Sequence, residues 1–143
     1  MPDGPARGGE CGVLPIGVDE VRVYLHVLAA TVWVGGQLVV LALLPVLRSL
    51  GPDAPRAVAE QFGRVARASF GVLLLTGIWN IAAVDGTDDA YRTTLTVKLV
   101  LAAVSVVAAE VHARAGSKRA TAVWGAVSLV TALAVLLLGV VLG

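Results

Sequence analysis

Residues 21–47 constrain the fold more than any other stretch, because this run is long and apolar enough to cross a lipid bilayer. Crossing takes about 20 such residues. Further runs of this kind occupy residues 67–84, 92–114 and 119–142. The chain is 57% hydrophobic and 15% charged, whereas soluble domains are about 45–50% apolar and about 25% charged. The sequence therefore predicts an all-α integral membrane protein, a four-helix up-down bundle.

The N-terminal residues 1–18 differ from the rest, since they are rich in Gly and Pro and show no helical period. We expect a disordered tail there, without the apolar core of a signal peptide, followed by one transmembrane domain at 19–143. Cys11 is the single cysteine, which excludes an internal disulfide and a CxxC motif. Its role stays open.

Capping residues and prolines predict the helix ends. Asp19 is the expected N-cap of the first helix, and Pro45 should kink or end that helix. Asp53 should cap a long second helix, amphipathic at first and apolar from residue 69. The third helix should run from about residue 91 to 115, and Ser117 should cap the fourth.

The distribution of charge predicts the orientation, because basic residues collect in cytoplasmic loops. Arginines and lysines flank the first and third loops, whereas the second loop is acidic; the basic residues are Arg48, Arg56, Arg64, Arg67, Arg114, Lys118 and Arg119. Both termini should therefore be extracytoplasmic in a multi-pass protein of the cell (inner or plasma) membrane. No basic stripe with interleaved aromatic residues is present, so a nucleic-acid partner is not expected.

Polar side chains on three predicted helices meet at similar depth. His26, Trp33 and Gln37 share one face of the first helix, by their spacing of seven and eleven residues. Measured from the midpoint of each span, His26 lies about 10 Å outward, Lys98 about 7 Å and Asn80 about 6 Å. Because ionisable groups inside a membrane are costly and usually functional, we expect a polar site in the outer half of the bundle.

His26 can bind a metal through a neutral ring nitrogen. Lys98, if protonated, offers a charge for a porphyrin propionate, a quinone oxygen or a carboxylate. Structural roles compete with this interpretation. Lys98 can extend to the headgroups, Asn80 can join two helices and His26 can bond a carbonyl. Trp33 and Gln37 can be packing residues.

His112 is a weaker candidate for a second metal site or an inter-chain contact. It follows Lys98 by fourteen residues, or about 21 Å of helix, so it cannot share a metal with His26 in one chain. Its position predicts a solvated side chain at the membrane surface, near Glu110 and Arg114. The initiator is the single methionine, so a thioether ladder for Cu(I) is absent.

Three segments together resemble the copper-resistance protein D (CopD) domain: HVLAATVWVGGQL at 26–38, FGRVARASFGVLLLTGIWN at 62–80 and TLTVKLVLAAV at 94–104. The resemblance implies a four-helix membrane bundle for copper uptake or handling, with His26 as metal ligand. It also implies a periplasmic copper-binding protein as partner, beside the lipid bilayer.

His26 and Lys98 also fit the helix-one His and helix-three Lys of the HemJ-type protoporphyrinogen oxidases, which the chain resembles more distantly. That likeness implies haem b and redox chemistry. Three functions follow: copper transport or handling, a haem-binding redox protein or enzyme, and a non-catalytic bundle or partner subunit. The sequence does not decide whether the chain is an enzyme or whether it forms a homo-oligomer.

Overall fold

The computed structural model describes residues 16–84 and 86–142, and these form four α-helices. The helices are α1 (Val18–Ser49), α2 (Ala54–Ala82), α3 (Asp89–Arg114) and α4 (Lys118–Leu142). Each is long and apolar enough to cross a membrane. This confirms the all-helical prediction and its four candidate spans. Cys11 and most of the predicted tail lie outside the described residues.

The N-terminus of α1 differs from the prediction. Its N-cap is Gly17, whose backbone N–H donates to the Glu20 carboxylate at 2.9 Å. Asp19 as N-cap is therefore wrong, because it lies in the first turn and its carboxylate pairs with Arg22 instead. Pro45 does not end α1, which continues to Ser49.

The other helices begin at or near the predicted residues. Asp53 holds the N-cap position of α2, as predicted, but its side chain makes no capping hydrogen bond. The Asp88 carboxylate accepts the Tyr91 N–H at 2.7 Å, so α3 begins two residues earlier than expected, at Asp89. The Ser117 hydroxyl accepts the Ala120 N–H at 3.2 Å, which confirms the predicted cap of α4.

Helices α1 and α2 form an antiparallel pair. The Ser69 hydroxyl on α2 donates to the Ala29 carbonyl on α1 at 2.7 Å. Further along, the Phe62 ring lies directly against Gly36, where a Cβ atom would overlap it. Between these contacts Trp33 and Phe70 pack with their ring centroids 5.5 Å apart. Small residues thus let α1 and α2 approach closely, as transmembrane helices commonly do.

Helices α3 and α4 form a second antiparallel pair of the same kind. The Ser105 hydroxyl donates to the Ser128 carbonyl at 2.9 Å. Ala108 and Ala132 are almost fully buried. Towards the α3–α4 turn, His112 packs against Gly125.

A polar contact at mid-depth links the two pairs. The Ser128 hydroxyl on α4 donates to Gln37 Oε1 on α1 at 3.4 Å, and Gln37 Nε2 donates to the Trp33 carbonyl at 3.2 Å. Helix α1 packs against both α2 and α4, and α3 packs against α4. In the described part of the chain, the backbones of α2 and α3 do not approach each other as closely as those of the packed pairs do.

Candidate ligand-binding site

His26 is held by α2 through one ring nitrogen. Its Nδ1 lies 2.8 Å from Thr76 Oγ1. The Thr76 hydroxyl donates its own proton to the Val72 carbonyl at 2.7 Å. With the Thr76 proton on the Val72 carbonyl, Thr76 Oγ1 is left to accept from an Nδ1–H of His26. In that tautomer, Nε2 carries the lone pair of the ring.

The ring of His26 also lies close to the backbone of α2. A Cβ atom at Gly77 would stand 3.6 Å from His26 Cε1. The half-buried imidazole is therefore fixed by a hydrogen bond on one side and by a small residue beside it. This arrangement matches that of metal-binding histidines, whose second nitrogen is usually tied by a hydrogen bond.

Lys98 of α3 reaches the same level as His26. The Gln37–Ser128 hydrogen bond gives a common reference level on α1 and α4. From this level, His26 lies eleven residues away along α1, and Gly139 lies eleven residues away along α4. Both are thus displaced by about 16 Å along the bundle. Lys98 Nζ lies 3.4 Å from where a Cβ at Gly139 would stand.

Arg22 adds a second basic group one turn before His26, on the same face of α1. The residue is only 9% exposed. Its Nη2 pairs with Asp19 Oδ1 at 3.1 Å, but that carboxylate is 78% exposed. Among the described residues, Arg22 Nε and Nη1 have no hydrogen-bond partner.

The structure separates the other predicted site residues into two groups. Asn80 lies one turn beyond Thr76 on the same face of α2 and is half-buried, so it stays near the site. Trp33 and Gln37 are about 10 Å and 16 Å from His26 along α1. Their contacts with Phe70 and Ser128 are helix packing. The structure therefore does not bring Trp33 and Gln37 to His26.

His112 differs from the expectation of a solvated side chain. It is half-buried, its Nδ1 lies 2.7 Å from the Thr121 carbonyl, and a Cβ at Gly125 would be 2.8 Å from that nitrogen. The expectation is wrong because the tight α3–α4 turn lets the imidazole fold onto α4. Glu110 pairs with Arg114 at 2.8 Å.

Two residues of the site were missed from the sequence. These are Thr76 and Arg22, neither of which is among the predicted site residues. A signal existed for Arg22, which is four residues before His26 and hence on the same helix face. No such signal existed for Thr76, because its partnership with His26 depends on the register of α1 against α2.

The arrangement combines one available imidazole nitrogen with two basic side chains. In residues 16–84 and 86–142, no group of three or more His, Cys, Asp or Glu side chains is placed to hold a metal ion. A ligand at this site therefore meets one nitrogen donor and a surplus of hydrogen-bond donors. Such a site suits a metal complex that supplies most of its own metal ligands, or a ligand that carries acidic oxygens.

The fold and this site define the class of protein: a multi-pass membrane protein with four helices and a polar cluster within the helical bundle. Comparison with protein-family models, curated proteins and solved structures finds no match to the chain.

Proposed function

We propose that this is a haem-binding membrane protein of redox function, in which His26 Nε2 is the axial ligand of the iron. The observation that carries the proposal is the His26–Thr76 hydrogen bond, which leaves Nε2 free and fixes the ring. A proximal histidine is a common haem ligand. The resemblance of His26 and Lys98 to the HemJ-type protoporphyrinogen oxidases supports the same cofactor.

The donor set favours haem over a bare metal ion. A free copper ion takes several protein ligands, and the basic groups Lys98 and Arg22 repel a cation near His26. Haem supplies four ring nitrogens itself and carries two carboxylates, so one imidazole and a nearby amine fit it. Bound haem would supply one-electron chemistry, while His26 orients it and Lys98 holds a propionate.

The separation of α2 and α3 suits such a ligand. Thr76 belongs to α2 and Lys98 to α3, and the backbones of these helices do not come into close contact. We propose that a flat apolar ligand reaches His26 from the lipid between these two helices. Asn80, half-buried on the same face of α2, provides a further polar contact there.

Copper handling is the second candidate, favoured by the three CopD-like segments at 26–38, 62–80 and 94–104. In that case His26 Nε2 is one copper ligand. The others come from a partner such as a periplasmic copper-binding protein, since the described residues offer no cluster of three.

Optical and metal titrations of the detergent-purified protein separate the candidates. We expect haem to bind at one equivalent per chain with a sharp Soret band, and copper to bind weakly. Stoichiometric copper binding without a Soret band establishes the copper candidate instead. If neither ligand binds, the polar groups only join helices, as in a non-catalytic bundle or a partner subunit.

We propose that the membrane topology is up-down with both termini extracytoplasmic, which places His26 in the outer half. The support is the basic α1–α2 and α3–α4 connections, with Arg48 and Arg56 beside the first and Arg114 and Lys118 beside the second.

Single cysteines in the two kinds of connection test this topology. In a Cys11→Ser background, a membrane-impermeant maleimide added to intact cells should label Gly86→Cys. It should reach Gly116→Cys only after the cells are broken. The reverse pattern would invert the topology and put His26 in the inner half.

A further inference from the structure

We propose that Arg22, together with Lys98, forms an acidic-group subsite next to His26, and that the ligand binds it through a carboxylate. The position of the subsite rests on the proposed function, since it assumes a ligand beside His26. Its chemistry does not depend on iron.

The buried guanidinium of Arg22 is the main observation. A charged group out of water is costly unless hydrogen bonds satisfy it. Among the described residues, Asp19 engages only Nη2, which leaves the N–H groups of Nε and Nη1 without an acceptor. Because Asp19 is mostly exposed, its charge is largely screened by water. The guanidinium therefore has both spare donors and spare charge.

The neighbouring groups determine which chemistry fits these donors. His26 lies about 6 Å deeper along α1, and its Nδ1 is occupied by Thr76. Lys98 lies at the same level of the bundle as that imidazole, with its Nζ beside Gly139. Arg22 and Lys98 are both nitrogen donors, and Asn80, the remaining polar side chain at this level, is neutral. An acidic oxygen group is the complement of such basic donors.

A lipid phosphate is the alternative occupant, because Arg22 lies near the end of its span. The burial of the Arg22 side chain favours a bound ligand over a lipid headgroup. An arginine that binds headgroups extends its side chain towards water, whereas the Arg22 side chain is only 11% exposed.

Metal-free protoporphyrin IX and its dimethyl ester test the subsite directly. The two differ only in whether the carboxylates are free, and neither has an iron for His26. We expect wild-type protein to bind the free acid about tenfold or more tightly than the ester, from one or two charge-assisted hydrogen bonds. Binding is followed by tryptophan quenching in phosphate-free detergent and in phosphatidylcholine nanodiscs.

Substitutions identify the side chain that causes the preference for the free acid over the ester. Arg22→Gln should remove most of it, since only Lys98 then remains, and Arg22→Lys should keep a larger part. Arg114→Gln is the matched control, since Arg114 also pairs with a carboxylate on its own helix but is exposed. Equal binding of acid and ester by the wild-type protein overturns the subsite even where Arg22→Gln fails to fold. A preference seen in detergent but lost in nanodiscs overturns it too, because lipid phosphate then occupies Arg22.

Failure of the subsite and failure of the proposed function are distinguishable. If haem gives a Soret band but the free acid shows no advantage over the ester, the haem proposal stands and the subsite falls. If the free acid is preferred through Arg22 but haem gives no Soret band, the subsite stands and the haem proposal falls.

Discussion

Replacing His26 with alanine is expected to lower haem affinity by at least about 100-fold. The loss should exceed the 10–100-fold cost that is typical when only an outer-shell partner of a ligand is removed, because the iron loses its protein ligand altogether. The measurement is the Soret titration of the purified variant. His112→Ala is the matched control, since His112 is also half-buried with its Nδ1 bonded. It should bind haem within about twofold of wild type.

Free imidazole should restore the spectrum of the His26→Ala protein, because it fits the space that the side chain leaves. A His26→Ala protein that binds haem as tightly as wild type would rule out the axial role of His26. Loss of binding in His112→Ala alone would move the site to the other half of the bundle.

Changes at Thr76 should give a graded version of the same effect. Thr76→Val keeps the shape but removes the acceptor for His26 Nδ1–H. The ring can then rotate or change tautomer, and haem affinity should fall about 10–100-fold. Thr76→Ser keeps the hydroxyl and should stay close to wild type. Equal losses in Thr76→Val and Thr76→Ser would mean that packing, and not the hydrogen bond, sets the affinity.

The helices were predictable because their signals are local. A bilayer span requires a long apolar run, and Ser117 caps α4 whatever the helices pack against. The same local rule failed at Asp19. Glycine at position 17 serves as N-cap with Glu20 as its acceptor, which leaves the aspartate free to pair with Arg22.

The sequence predicted only how deep in the membrane the site residues lie. Counting residues from each span midpoint put His26, Lys98 and Asn80 in one half of the bundle. Which of them meet depends on helix rotation and register, and those are set by the tight contacts at Gly36 and Ser69. Gln37 shows that two residues on one helix face need not belong to one site. It shares a face with His26, yet it bonds α4 about 16 Å away.

Gly125 should be the glycine of the α3–α4 pair that least tolerates a larger side chain. A Cβ there would stand 2.8 Å from His112 Nδ1 and 3.0 Å from Cε1. Gly125→Val must displace the imidazole and its bond to the Thr121 carbonyl. We expect it to lower the free energy of unfolding by about 1–3 kcal/mol, measured by titration with sodium dodecyl sulfate. Gly71→Val is the control, because a Cβ at Gly71 meets nothing within 4 Å.

A double-mutant cycle tells whether the His112 ring is the cause. If the clash with the imidazole is what destabilises Gly125→Val, removing the ring makes room for the valine. The combined His112→Ala and Gly125→Val protein should then be more stable than the sum of the two single losses predicts. Strict additivity would place the cost in the α4 backbone or in the lipid contacts of the valine. The close approach of His112 to Gly125 would then be without energetic consequence for the bundle.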